Sequence, residues 1–237
     1  TLSSATAGSN VTEGGSIVYT ATVSSAVTGT PLLVTLSNGQ TITIPVGQTT
    51  ANSAAFAVRA DNVYTDANQN LSVSISGTPT GGNYEALTTT GTITNTVVDD
   101  ADATTVTLTA SAASVAEGAS VTYTATVANA VTGTPLVVTL DNGSTITIAV
   151  GQTTANSAAV IVRADDVYNQ GTTNVVRSIT GTTGGNYEAL TTTSTVSTTV
   201  TEDADATTVT LSSATAGSNV TEGGSIVYTA TVSSAVT

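Results

Sequence analysis

The amino-acid sequence repeats itself at an interval of about a hundred residues, so no fold that needs the whole chain as one unit fits it. Residues 1–28 recur without a change at 210–237, and a diverged copy lies between these two stretches. The copy is plain over a longer window, because residues 11–55 align with residues 115–159. A segment of this length is the usual size of one domain.

We therefore predict two full domains and a truncated third, with boundaries at 1–103, 104–206 and 207–237. Two strands cannot bury a sandwich core by themselves, so the third stretch needs contacts from elsewhere to become ordered. We expect the full domains to be joined end to end in an extended line, and the chain to be an excerpt from a longer array.

Within each repeat, apolar and polar residues alternate with a period of two, which indicates half-buried β-strands. Ile17, Tyr19, Ala21 and Val23 form one such face, and β-branched residues dominate throughout. An Asn-Gly turn in residues 37–40 lies between two alternating runs, as in a β-hairpin. About seven short strands in about a hundred residues predict an all-β fold of tandem immunoglobulin-like β-sandwich domains.

Three side chains leave alternatives open. Tyr64 and Tyr168 resemble a tyrosine corner, and a buried loop tyrosine is the equal alternative. Arg177 aligns with the inward-facing Val73, where an unpaired charge would be costly. Either a bulge turns Arg177 outward, which we favour, or its guanidinium reaches a carboxylate.

The charge balance excludes several classes of function. The chain has three basic and sixteen acidic residues, a formal net charge of −13, no Cys and no His. Such a surface repels phosphates and anionic lipid, so we expect neither nucleic acid binding nor membrane insertion by this segment. Disulfides, thiolate or imidazole metal sites and nucleophile–histidine catalysis are excluded by composition.

The acidic side chains gather at one end of each predicted sandwich. If successive strands run back and forth, Glu13, the loop after residue 59 and the segment 99–102 all come to the same end. Glu188 in the following domain faces that end. Oxygen ligands in such numbers suit a hard cation such as Ca²⁺. The candidate ligands are Glu13, Asp61, Asp66, Asp99, Asp100, Asp102, Glu117, Asp165, Asp166, Glu188, Glu202, Asp203 and Asp205.

The plain alternative is that these acids are solvated loop residues. Against it, the loops at residues 24–31 and 46–50 carry no acid, while both copies place most acids at the same end. Two carboxylates about 4 Å apart repel each other by roughly 4 kcal/mol at an effective dielectric constant near 20. We therefore favour bound calcium over an unneutralised cluster.

Several segments closely resemble the tandem repeats of giant RTX adhesins, which Gram-negative bacteria export by type I secretion for biofilm formation and surface attachment. The resemblance rests on "VTEGGSIVYTATV", "RADNVY", "GGNYEAL" and "DDADATTVTL", and it spans essentially the whole chain. It implies immunoglobulin-like extender domains that bind calcium, become rigid and project a distal binding region from the cell surface. By position it implies the ligands Glu13, Asp61, Asp99, Asp100 and Asp102, with their counterparts in the second repeat.

Within this resemblance, two positions differ between the copies. Asp66 aligns with Gln170, which makes its role less secure, and Asp99 aligns with Glu202, which is a tolerable change for an oxygen ligand. The expected function is an extracellular, calcium-rigidified spacer whose partners are neighbouring repeats of the same chain.

Rival functions are a glycoside hydrolase, a binding module and a filament subunit. Paired carboxylates can hydrolyse glycosides, but these acids recur at every joint beside no aromatic sugar platform, so we expect no enzymatic activity. Carbohydrate, ice or a protein could bind Thr-rich strand faces, although Thr on an outward face is ordinary β-sheet chemistry. A subunit of a surface filament is a structural variant of the spacer.

Overall fold

The alternation of apolar and polar residues produces the expected strands. A computed structural model describes residues 1–237 and contains strands, turns and loops but no helix. It therefore contains no helix that could cross a membrane. The strands of repeat 1 are β1 (Leu2–Ser4), β2 (Asn10–Thr12), β3 (Ser16–Ile17), β4 (Tyr19–Thr22), β5 (Leu32–Thr35), β6 (Thr41–Ile44), β7 (Thr50–Asn52), β8 (Phe56–Ala57), β9 (Gln69–Ser74) and β10 (Thr92–Val98).

Repeat 2 has counterparts of these ten strands in the same order, together with two further short strands, Ala103–Thr105 and Ala189–Thr191. Its strands are β11 (Ala103–Thr105), β12 (Thr107–Ala110), β13 (Ser114–Ala116), β14 (Ser120–Val121), β15 (Tyr123–Thr126), β16 (Leu136–Leu140), β17 (Thr145–Ile148), β18 (Thr154–Asn156), β19 (Val160–Ile161), β20 (Thr173–Thr183), β21 (Ala189–Thr191) and β22 (Thr195–Thr201). β23 (Val209–Ser213) and β24 (Tyr228–Val232) follow in the third stretch.

Each repeat is a sandwich of two sheets around one core, as the sequence predicts. In repeat 2 one sheet has the order β12-β15-β18 and the other the order β13-β22-β20-β16-β17. Repeat 1 has the equivalent β1-β4-β7 and β2-β10-β9 sheets, with β5-β6 as a separate pair. Within these sheets, β2 pairs in parallel with β10, and β13 with β22, while the other pairs are antiparallel. This all-β arrangement is the immunoglobulin-like fold class predicted from the alternation.

The repeats differ in the length of one strand, which is β9 in repeat 1 and β20 in repeat 2. β20 runs unbroken for 11 residues, whereas its counterpart β9 stops after 6. Repeat 1 contains Pro79 just beyond β9, and proline cannot donate a ladder hydrogen bond. As a result β5 reaches this strand only through isolated bridges, Leu33 to Thr80 and Leu36 to Ile75.

The predicted Asn-Gly hairpin is confirmed. β5 and β6 pair with Val34 opposite Ile42, and the Leu36 amide donates to the Gln40 carbonyl across the turn. Gly39 has a φ of 85°, a left-handed conformation that glycine adopts without a steric penalty.

Arg177 faces inward, so the outward bulge that we favoured from the sequence is wrong. Val175, Arg177 and Ile179 are partly or fully buried, whereas Val176 between them is exposed. The register shift of this strand lies further along, opposite Thr139 and Leu140. The guanidinium lies 3.8 Å from Asp141, a residue that replaces Ser37 of repeat 1, so the second alternative describes the structure.

Residues of the third stretch pair without forming a core. β23 and β24 are antiparallel, with Leu211 opposite Ala230. Leu211 is 71% exposed, although the identical residue Leu2 of repeat 1 is 5% exposed. The same sequence is thus buried only where strands β5 to β10 cover it. Tyr168 donates its hydroxyl to the Ala235 carbonyl of this stretch, which is not the upstream bond of a tyrosine corner.

The backbone contacts divide the chain into two compact units. Unit 1 comprises Thr1–Thr104 with Asn186–Thr191, and unit 2 comprises Thr105–Gly185 with Thr192–Thr237. Residues 186–191 therefore pack within unit 1, although they belong to repeat 2 by sequence.

The core of repeat 2 contains a tyrosine whose hydroxyl is buried without a hydrogen-bond partner. Tyr123 is 0% exposed and its hydroxyl has no partner. An unsatisfied buried donor costs about 1–3 kcal/mol. We expect Tyr123→Phe to raise the stability of unit 2 by about 1 kcal/mol, measured as the midpoint of its chemical unfolding transition.

The matched control is Tyr123→Ala, which removes the ring as well and should cost about 3–5 kcal/mol. A Tyr123→Phe variant less stable than the parent would contradict this account of the hydroxyl.

Candidate metal centre

The parallel strand pair brings two carboxylates together at one end of each sandwich. Thr12 lies opposite Val98 in the parallel pairing of β2 with β10, and the Glu13 amide donates to the Val98 carbonyl at 2.9 Å. Because parallel strands end at the same edge, Glu13 and Asp99 leave the sheet side by side. In repeat 2 the Glu117 amide likewise donates to the Thr201 carbonyl at 3.0 Å.

A second pairing places a loop against this edge. The Gly14 amide donates to the Arg59 carbonyl at 2.8 Å, next to the pairing of β3 with β8. Gly14 has a φ of 69°, and a Cβ there would lie 3.0 Å from the Cβ of Asp61. Both the conformation and the space require glycine, which lets Asp61 approach Glu13.

The structure brings most of the predicted acids into compact groups. In each group one carboxylate oxygen per residue lies within 4.8 Å of the others. The groups are Glu13–Asp61–Asp100, Glu13–Asp66–Asp99, Asp100–Asp102–Glu188 and Glu117–Asp165–Asp203. We call the acids of these groups, with their loop neighbours, the acidic end of each repeat. The predicted residues outside the groups are Asp166, Glu202 and Asp205.

The acidic end also contains an arginine that the sequence reasoning missed. The Arg59 Nε lies 2.6 Å from Glu13 Oε2 and 3.4 Å from Asp66, and its Nη2 lies 2.9 Å from Asp99. Arg59 therefore neutralises part of the cluster. The available signal was position, since Arg59 and Arg163 both immediately precede the acidic loop in a chain with three basic residues.

The arginine separates two kinds of acidic group. Glu13, Asp66 and Asp99 surround the Arg59 guanidinium, so their charges already have a counter-ion. Asp61 and Asp100 have no ion pair with a basic side chain. The groups that hold these two aspartates are therefore the ones that could take a cation.

Asp66 and Asp166 each accept a hydrogen bond from a side-chain amide of their own loop, although they occupy different positions in the two loops. Asn62 donates its side-chain amide to Asp66 at 3.0 Å, and Gln170 donates its side-chain amide to Asp166. Amide and carboxylate have exchanged places between the repeats. The Asp166 carboxylate also accepts the Tyr168 amide at 2.7 Å, so its oxygens are used within the loop.

Glu188 reaches the acidic end of repeat 1 within unit 1. Its Oε2 accepts the Asp102 amide, its own amide donates to the Val63 carbonyl, and its Oε1 is buried without a hydrogen-bond partner. The neighbouring ring of Tyr187 lies 5.5 Å from that of Tyr64. Backbone bonds and a ring contact thus position this glutamate beside Asp100 and Asp102.

Glu117 is the most exceptional acid of repeat 2. The residue is 5% exposed, and its Oε2 is buried without a hydrogen-bond partner. The nearest guanidinium nitrogen, Nη2 of Arg163, lies 3.4 Å from that oxygen. The same nitrogen lies 2.5 Å from Glu202. A buried carboxylate oxygen without a hydrogen bond is costly unless another group neutralises it.

A comparison with known families identifies the repeats. The model of the LapA domain matches residues 1–101 and again residues 102–204. The chain belongs to the LapA domain family. Two copies of this domain indicate a large adhesin-type protein of the cell surface. No curated protein matches the chain.

In both LapA domains, the acidic end raises the pKa of carboxyl groups. Loss of hydration raises the pKa of Asp61, and the charges of Asp102 and Asp100 raise it further. Loss of hydration and the charge of Glu202 raise the pKa of Glu117, although Arg163 opposes the shift. The pKa of Asp205 rises through loss of hydration and the charge of Asp203.

The pKa of Glu188 is also raised, but by opposing contributions. The hydrogen bond from the Asp102 amide lowers it, while burial and the charge of Asp99 raise it by more. The folded LapA domains therefore bind protons at the acidic end more readily than the unfolded chain does.

These shifts predict an unusual pH dependence. A raised carboxyl pKa gives stability that is present at low pH and is lost as pH rises through the folded-state pKa. In buffer freed of divalent cations, we expect these groups to make the melting temperature rise as pH falls from 7 towards the ordinary carboxyl pKa values of about 3.9–4.3. Thermal unfolding followed by circular dichroism measures this.

The double variant Asp61→Asn/Glu117→Gln removes two of the shifted groups and should flatten the slope. A melting temperature that falls steadily between pH 7 and 5 in the parent would contradict the electrostatic account.

Proposed function

We propose that these LapA domains form a calcium-stabilised spacer in a large adhesin that Gram-negative bacteria export by type I secretion. The spacer holds a distal binding region away from the cell for attachment and biofilm formation. It has no catalytic role, and its partners are the neighbouring repeats.

The observation that carries the proposal is the buried carboxylate of Glu117. Its Oε2 has no hydrogen-bond partner, and Asp165 and Asp203 each place a carboxylate oxygen within 4.8 Å of a Glu117 oxygen. Repeat 1 has the equivalent group at Glu13, Asp61 and Asp100. A bound cation would neutralise three carboxylates that otherwise repel one another.

The donor set fits calcium better than other common metals. Every candidate ligand is an oxygen, and the chain has neither the imidazole nor the thiolate that zinc and copper prefer. Oxygens up to 4.8 Å apart can share one ion with bonds of 2.3–2.6 Å, the usual Ca²⁺–O length. Mg²⁺ needs bonds of about 2.0–2.1 Å and a closer approach of the ligands.

The proposed stiffening of the spacer rests on one acidic group, Asp100–Asp102–Glu188. Asp100 and Asp102 end repeat 1, whereas Glu188 belongs to repeat 2 by sequence. An ion held by these three residues would fasten the segment 186–191 to the acidic end of repeat 1. Such a link would limit the movement of one repeat against the next, as a spacer requires.

The difference in calcium concentration across the cell envelope would also make the stability of the spacer depend on whether it has been secreted. Sites in extracellular modules commonly have Kd values of about 10⁻⁴–10⁻³ M. Calcium outside the cell would then stabilise the domains, while scarce calcium inside the cell would leave the chain less stable during export.

The Thr-rich strand faces give less support to a ligand-binding function. Thr20 donates its hydroxyl to Asn52, and the hydroxyls of Thr22 and Thr50 lie 3.4 Å apart. Thr124 and Asn156 repeat the first bond in repeat 2. Hydroxyls that already bond one another are less available to carbohydrate, ice or protein.

Calcium should stabilise the folded chain. A ligand at one hundred times its Kd adds roughly 2.7 kcal/mol per site, which corresponds to a rise of about 10–20 °C in the melting temperature of a small domain. We expect this rise in the parent when calcium replaces EDTA, and a much smaller rise in unit 1 of Asp100→Asn/Asp102→Asn. Calorimetry resolves the transitions.

The matched control is Glu85→Gln, which removes an exposed acid of repeat 1 outside the acidic groups and should respond to calcium like the parent. Equal melting temperatures of the parent in calcium and in EDTA would refute the proposed function.

A further inference from the structure

The acidic ends of the two repeats differ by one methylene group. Asp99 follows β10 in repeat 1, and Glu202 follows the equivalent strand β22 in repeat 2. The charge is the same at both positions, and each carboxylate pairs with the arginine of its own repeat. The difference is therefore one of reach.

The longer side chain changes where the arginine binds. Arg59 divides its hydrogen bonds, with Nε 2.6 Å from Glu13 and Nη2 2.9 Å from Asp99. Arg163 instead gives its short bond to Glu202, at 2.5 Å, and the same nitrogen lies 3.4 Å from Glu117. The Arg163 Nε, the atom that corresponds to the donor to Glu13, is buried without a partner.

The buried glutamate is consequently in two different states. Glu13 has a side chain that is 0% exposed, and one of its oxygens holds a charge-assisted hydrogen bond from Arg59. Glu117 has a side chain that is 1% exposed, and its Oε2 holds no hydrogen bond at all. A cation that approaches Glu13 must compete with an arginine hydrogen-bonded to it at 2.6 Å, whereas at Glu117 the arginine is an ion pair at 3.4 Å and competes less.

We propose that the residue after the last strand, Asp99 or Glu202, sets the cation affinity of each repeat by deciding whether the arginine binds the buried glutamate. This inference rests on the proposed function and adds its regulation. Asp99 and Glu202 act as positioning residues through Arg59 and Arg163. The aspartate form lets the arginine hydrogen-bond the buried glutamate and weakens cation binding, and the glutamate form loosens that contact to a longer ion pair.

The direction follows from the hydrogen-bond inventory. Glu202→Asp shortens the side chain that Arg163 now binds, so the guanidinium should move to hydrogen-bond Glu117, as Arg59 does with Glu13 in repeat 1. Asp99→Glu draws Arg59 away from Glu13, as in repeat 2. Neither exchange alters the net charge, so an effect on cation binding reports the position of the arginine.

The test is a calcium titration followed by NMR on the full chain. The amides of Gly14 and Gly118 are suitable reporters because each donates to the carbonyl of the local arginine and lies against the local aspartate, Asp61 or Asp165. We expect Glu202→Asp to raise the calcium midpoint at Gly118 about tenfold, the ratio for one hydrogen bond to a charged group. The midpoint at Gly14 should stay unchanged.

The reciprocal variant Asp99→Glu should lower the midpoint at Gly14 by a similar factor and leave Gly118 unchanged, so each repeat is the control for the other. It also tests the inference independently if Glu202→Asp fails to fold. Midpoints that move less than twofold, or in the opposite direction, would overturn the inference while leaving calcium binding intact. Reporter amides that ignore calcium in the parent would overturn the proposed function itself.

Discussion

The parallel pairing of β2 with β10, and of β13 with β22, is the constraint from which the acidic ends follow. Antiparallel neighbours would send Glu13 and Asp99 to opposite ends of the sandwich. The parallel pair instead aligns Thr12 with Val98 and sends the next residue of each strand to the same edge. Each LapA domain therefore concentrates negative charge where its last strand leaves it.

Three devices balance that charge. Arg59 or Arg163 neutralises part of it from within the same repeat. Protons are held more readily than in the unfolded chain, as the raised pKa of Asp61 and Glu117 indicates. In the account proposed here, calcium supplies the rest. The arginine is part of the chain, whereas a proton or a calcium ion can dissociate. The stability of the folded domain therefore includes a constant contribution from the arginine and contributions that vary with pH and calcium concentration.

Much of this arrangement could be predicted from the sequence because it depends on short-range patterns. Alternation gave the strands, Asn38-Gly39 gave the hairpin, and the back-and-forth course of the chain brought Glu13 near Asp100. The role of Arg59 was missed because its two closest carboxylate partners, Glu13 and Asp99, are 40 or more residues away in sequence. The inward course of Arg177 was missed for the same reason, since its partner Asp141 lies 36 residues earlier, in the turn after β16.

The most direct measurement of the central claim is anomalous X-ray scattering from crystals of the chain grown with millimolar calcium. The account predicts one anomalous peak among Glu13, Asp61 and Asp100, and another among Glu117, Asp165 and Asp203, each with carboxylate oxygens at about 2.3–2.6 Å. Crystals at saturating calcium that show only water at both positions, with the carboxylates satisfied by arginine and solvent, would contradict it.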